Sequence, residues 1–314
     1  MLVGIVAYLA GQIASGWTAI ESLNPRWDGL YVAGAFVSGF IAYQCLLFGW
    51  LILLRRTGHF RKGQLGLYAR VWWVSYLYRY VPGKVLLLVE RARMGSTVGV
   101  PAAAGAALTI VETLLAILAG SAVSILAISY YVGIDDQLLV GVVVLAIAIV
   151  FLFPFGYRVF CDLPFIKKKY PELSSVALRP QDMLVVVVPY VLHYLLLGTS
   201  LFLISANLQL LSWPDLPWLC GIYALSHVAS LVALIAPGGL GVREGAFALQ
   251  LGRLLPPGVA EVLAIGARVW FTLIEVVCYV GVVMFCPPLQ KTNSLDSVVN
   301  PARTPEATDR SSQP

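Results

Sequence analysis

The sequence predicts an all-α polytopic membrane protein, with about seven transmembrane helices and two further re-entrant or broken helical segments. Three observations carry this expectation. Of 314 residues, 59% are hydrophobic and only 12% are charged, about half the roughly 25% charge of soluble domains. Mean hydropathy is +0.84. The apolar residues come in runs of about 20, the length that crosses a hydrocarbon core as a helix. A membrane β-barrel would show alternating strands of roughly ten residues instead. A water-soluble enzyme is excluded, because a fold of this size has too much surface to hide so much apolar side chain.

The runs fall, in order, at residues 1–20, 31–54, 101–131, 137–155, 183–208, 218–236 and 259–285. The first lacks a basic flank and a small-residue cleavage site, so it is expected to stay as an uncleaved span. Two stretches fit no simple span. Residues 66–99 are aromatic, then basic, and are interrupted by Pro82-Gly83. Residues 237–257 open with Pro-Gly-Gly-Leu-Gly and are too broken to cross neatly. Both are expected to be re-entrant or interfacial helices, since such backbone is tolerated at depth only inside protein or beside a wet cavity.

Basic residues in short loops predict the orientation. Loop 55–62 holds Arg55, Arg56, Arg61 and Lys62, and loop 156–182 holds Arg158, Lys167, Lys168, Lys169 and Arg179. Loops 21–30 and 132–136 hold Arg26 alone between them, and Asp135-Asp136 mark the outer side. A multi-pass protein of the cytoplasmic (inner) membrane with a cytoplasmic N-terminus is expected. Residues 1–289 form the membrane domain. Residues 290–314, rich in Ser, Thr, Pro and charge, read as a disordered polar tail. The five cysteines (Cys45, Cys161, Cys220, Cys278 and Cys286) are scattered, with no metal spacing.

A weak internal repeat runs through the chain. Pro82-Gly83-Lys84 is followed by Thr109-x-x-Glu112, and Pro237-Gly238-Gly239 by Thr272-x-x-Glu275. Transporter folds are often built from inverted halves whose broken helices meet near the midplane. Chance similarity between apolar helices is the competing explanation.

Ionisable groups inside spans cost on the order of 2.5–3.5 kcal/mol each on insertion scales, so they are functional candidates. Glu112 shares a helical stripe with Gly105, Thr109 and Ala116. Glu261, Arg268, Thr272 and Glu275 share another, which allows either an internal Arg–Glu pair or a wet wall. Glu112, Arg268, Thr272 and Glu275 are therefore the candidate polar path. Around the first break, Arg79, Lys84, Arg91 and Arg93 offer donors suited to phosphate, although ordinary juxtamembrane charge would look the same. Around the second, Gly238, Gly239 and Gly241 precede Arg243 and Glu244, and a glycine-rich turn opening a helix can hold an anion. The spacing is neither a P-loop nor a Rossmann fingerprint. His193 and His227 are expected to be hydrogen-bonded core residues. No nucleophile–base pair, metal set or cofactor motif is recognised, so neither an enzyme nor a cofactor is expected. Nucleic acid is a poor partner, because the basic residues sit in loops between apolar runs.

Arg79-x-x-Pro82-Gly83-Lys84, Arg91, Gly95, Glu112 and, above all, Pro237-Gly-Gly-Leu-Gly-Val-Arg243-Glu244-Gly245 resemble the lysylphosphatidylglycerol synthase transmembrane-region family, also described as the flippase-like domain. The resemblance covers most of residues 30–285. It implies a module that moves lipids, or polyprenyl-linked intermediates, between leaflets. The headgroup would be held by Arg79, Lys84, Arg91, Gly238, Gly239, Gly241, Arg243 and Glu244. No stretch matches the soluble domain that aminoacylates phosphatidylglycerol in fused members, so lysyl transfer is not carried over. The alternatives are a non-transporting subunit that scaffolds a glycosyltransferase or synthetase, and a membrane transferase with Glu112 or Glu244 as base.

Overall fold

A computed structural model describes residues 28–80, 85–133, 140, 152, 155–156, 158–159, 161–169, 179–208, 210–233, 241–256 and 258–289. Among these the chain is helical, and no strand is present. The elements are α1 (Gly29–Arg56), α2 (Leu65–Leu77) with a 3-10 turn at Tyr78–Tyr80, α3 (Val85–Ser96), α4 (Ala102–Val132) and α5 (Pro164–Lys169). After these come α6 (Pro180–Asn207), α7 (Leu216–Val232) with a 3-10 turn before it at Trp213–Asp215, α8 (Val242–Leu251) and α9 (Val259–Phe285).

Five helical stretches among the described residues are long and apolar enough to cross a membrane: Gly29–Arg56, Ala102–Tyr131, Asp182–Asn207, Trp213–Val232 and Val259–Phe285. They match five of the seven runs expected from sequence. Run 1–20 lies outside the described residues, as does nearly all of run 137–155, so the count of seven is not reached. Pro82-Gly83-Lys84, Pro237-Gly238-Gly239 and the tail from 290 onward also lie outside them. The helices on both sides of the first break, and the one after the second, are short. At 1.5 Å per residue, α2, α3 and α8 reach only about 20, 18 and 15 Å, against about 30 Å of hydrocarbon.

The spans are apolar on both faces, as lipid solvation requires. In α1 the inner stripe is Ala35, Ala42, Leu46, Trp50 and Leu53, all buried, while Val37, Ile41 and Phe48 are exposed on the far side. Helix association in lipid draws little from hydrophobicity, so packing and hydrogen bonds must carry it. The α1–α6 pair, the most extensive contact in the bundle, shows how. Ser200 donates to the Ala35 carbonyl (2.7 Å), Ser38 to the Leu196 carbonyl (2.8 Å), and His193 Nδ1 lies 2.8 Å from the Ala42 carbonyl. The residue numbers descend on α6 as they rise on α1, so the helices are antiparallel and in fixed register. Two ends complete the ladder. The Asp28 N–H, at the α1 N-cap, donates to Asn207 Oδ1 (2.7 Å), and Arg56 meets Asp182 (2.8 Å).

Close approach needs small residues elsewhere. A Cβ on Gly198 of α6 would sit 2.5 Å from the Cα of Cys220 in α7. That neighbour is backbone and cannot swing aside. Gly198→Ala is therefore expected to lower stability by about 1–3 kcal/mol through overpacking, seen as a lower melting temperature in detergent. An unchanged melt would show that the two helices can separate freely.

Candidate functional site

Four buried or nearly buried arginines and three glutamates gather where α2, α3 and α4 meet α6, α8 and α9. Their pairing is specific. Arg91 of α3 is buried and donates to Glu112 of α4. Glu112 also accepts from the indole N–H of Trp72 (2.9 Å), and Arg91 Nε donates to Ser75 Oγ (2.9 Å). The guanidinium lies over the Trp72 ring, 5.3 Å from its centroid. Trp72 and Ser75 come from α2, so one carboxylate gathers three helices.

The second carboxylate is arranged in the same way. Glu275 of α9 accepts from Arg79, in the turn after α2, from Tyr43 of α1 and from Tyr80 (2.7 Å). Arg79 also donates to Tyr76, and its guanidinium stacks 4.1 Å from that ring centroid. Both pairs satisfy the condition that a buried ion pair needs further hydrogen bonds on its remaining lone pairs.

Glu244 and Arg268 form a third pair at 3.5 Å. Glu244 is also the cap of α8: its carboxylate accepts from the Gly241 N–H (2.8 Å). Glu261 caps α9 identically through the Gly258 N–H (2.6 Å). Gly241 and Gly258 have φ of +83° and +87°, a left-handed conformation that glycine adopts without strain. The spacing Gly-x-x-Glu thus marks two helix starts that point their free N–H groups at a carboxylate of the chain itself.

Arg243 differs from the other three. It is 5% exposed, and no carboxylate of the described residues lies within ion-pair distance. Its guanidinium rests over Tyr223, 4.7 Å from the ring centroid. One terminal nitrogen has no hydrogen-bond partner. It borders a cavity of about 340 Å³.

That cavity joins the pieces. Arg79, Arg91, Glu112 and Arg243 all line it, together with Tyr190, His193 and Tyr194 of α6. Arg79 Nε, the hydroxyls of Tyr190 and Tyr194, and His193 Nε2 are buried there without a hydrogen-bond partner. Most buried polar groups in folded proteins are bonded, so a row of open ones around a space of this size marks a place for water or a polar ligand. The rim is different. Ile110 and Leu114 border the cavity yet are 51% and 43% exposed on the outer face of α4. The lining therefore combines charged groups with apolar side chains that are also exposed on the outside of α4.

Of the candidates from sequence, Arg79, Arg91, Glu112 and Arg243 are brought to one cavity. Arg268, Thr272 and Glu275 do not line it. Thr272 donates to the Arg268 carbonyl in its own helix (2.8 Å). The possible Arg268–Glu275 pair is not formed, each residue having a partner on another helix. Gly241 and Glu244 serve the α8 cap. Lys84, Gly238 and Gly239 lie outside the described residues. Sequence reasoning passed over Tyr190 and Tyr194 and read His193 as a hydrogen-bonded core residue only; the signal was their spacing, which puts three polar rings on one stripe of an apolar helix. No protein-family model matches the chain, and no curated protein matches it.

Proposed function

We propose that the chain is a lipid translocase of the flippase-like type, holding an anionic headgroup in the cavity while the acyl chains stay in the bilayer. One observation carries this reading: Arg243 is a buried cation with no carboxylate partner among the described residues, on a cavity also lined by Ile110 and Leu114, which are exposed on the outside of the bundle. A buried charge left unpaired is costly, and an anion entering from the side supplies what it lacks. The family resemblance of the Pro-Gly breaks, and the short helices α2, α3 and α8, support the same reading. In it, α2–α3 and the 237–257 segment are re-entrant elements of two related halves, the protein sits in the inner membrane with a cytoplasmic N-terminus, and the spans number seven.

The test is reconstitution. Liposomes carrying the protein and a fluorescent anionic lipid are treated with a membrane-impermeant quencher. The protein is expected to expose the inner-leaflet label at least tenfold faster than empty liposomes do. A rate equal to that of empty liposomes overturns the reading.

A further inference from the structure

The cavity's charge and hydrogen-bonding groups specify more than an anion. Among the described residues it is lined by Arg79, Arg91, Arg243 and Glu112; Arg79 is met by Glu275 and Arg91 by Glu112, which leaves the charge of Arg243 uncompensated. Glu112 is the carboxylate among the described lining residues, and it is held by Arg91 and Trp72. So a single negative charge balances the described residues of the site, and among them no carboxylate is left to receive an ammonium group.

His193 adds a second demand. Its Nδ1 lies 2.8 Å from the Ala42 carbonyl, which can only accept, so Nδ1 carries the proton. In the neutral ring Nε2 is then an acceptor. It is buried on the cavity without a partner, as is the Tyr194 hydroxyl. A buried acceptor left unmet favours whichever ligand brings a donor to it.

We infer that the cavity selects a phosphodiester of single negative charge whose head carries a free hydroxyl, with Arg243 on the phosphate and His193 Nε2 accepting from the hydroxyl. This rests on the reading of the cavity as a headgroup site. His193 is the residue that sets specificity, and Arg243 the one that sets affinity. A glycerol-type or sugar-type head on a lipid phosphate meets this description, as does the same phosphodiester free in water.

Binding by native mass spectrometry of the full chain in detergent tests it, with four probes. Phosphatidylglycerol has the charge and the hydroxyls. Phosphatidylmethanol has the same phosphodiester charge and chains but no hydroxyl. Lysyl-phosphatidylglycerol adds ammonium charge. Glycerophosphoglycerol has the head without chains. Phosphatidylglycerol is expected to bind about tenfold tighter than phosphatidylmethanol, the worth of about one buried hydrogen bond. His193→Phe is expected to bring that ratio to about one while phosphatidylmethanol binding is kept. A ratio is insensitive to partial misfolding, which would weaken both lipids alike. Lysyl-phosphatidylglycerol is expected to bind more weakly than phosphatidylglycerol. Equal binding of phosphatidylglycerol and phosphatidylmethanol, or a ratio unchanged in His193→Phe, overturns the hydroxyl selection and leaves the headgroup site standing. Tightest binding of the lysyl form overturns the charge assignment. If glycerophosphoglycerol binds as tightly as the lipid, the ligand chemistry holds and the lipid reading falls; if no probe binds, both fall.

Discussion

Replacing Arg91 by leucine is expected to destabilise the protein by about 3–5 kcal/mol, the usual cost of removing one partner of a buried pair. Glu112 would then sit 8% exposed with only the Trp72 indole and no cation. The double variant Arg91→Leu with Glu112→Leu is expected to recover most of the loss, because a buried pair replaced by well-packed apolar residues is often neutral or better. Thermal unfolding in detergent of the wild type, the two single variants and the double variant gives the coupling directly. A single variant that melts like the wild type would show that the pair is not closed in solution. The reason to expect a large number is location: Arg91 and Glu112 join α3 to α4, and Trp72 and Ser75 bring in α2. Losing the cation loosens three helices at once.

The same residues show where sequence reasoning reaches its limit. Scarce charge and apolar runs made the class legible, and five of the expected spans are helices of the expected type. Helical spacing placed Glu112 on a stripe with Gly105 and Thr109, and Thr109 does donate to the Gly105 carbonyl one turn away (2.8 Å). Partners across helices were another matter. Spacing put Arg268 and Glu275 on one face of α9, which made a mutual pair possible. Yet Glu275 closes on Arg79, and Arg268 meets Glu244. A 3.6-residue period says which way a side chain points; it does not say which helix stands opposite. His193 illustrates the same gap. It is a hydrogen-bonded core residue, as expected, through one nitrogen only. The other nitrogen faces the cavity because the α1–α6 register puts it there, and that register is fixed by contacts between residues some 150 positions apart.

Arg243→Leu is expected to give the opposite signature to Arg91→Leu: stability kept within about 1 kcal/mol, and lipid transfer lowered at least 30-fold, which corresponds to about 2 kcal/mol. The stability half follows from what Arg243 lacks. Its removal leaves no carboxylate of the described residues stranded, and it relieves the desolvation of a cation unpaired among them. Against that stands the loss of its stacking on Tyr223, worth about 0.5–2 kcal/mol. The two terms oppose each other and nearly cancel. The transfer half follows from the ligand: truncating one member of a desolvated charge pair commonly costs about 2–5 kcal/mol of binding. Arg243→Lys separates charge from shape, since an ammonium keeps the charge but not the planar fork; it is expected to retain transfer between the wild-type and leucine levels. Melting temperature and liposome transfer measured on the same preparations decide it. If Arg243→Leu unfolds as readily as Arg91→Leu, the residue is structural. If it melts normally and transfers lipid normally, the cavity's uncompensated charge has no part in transport.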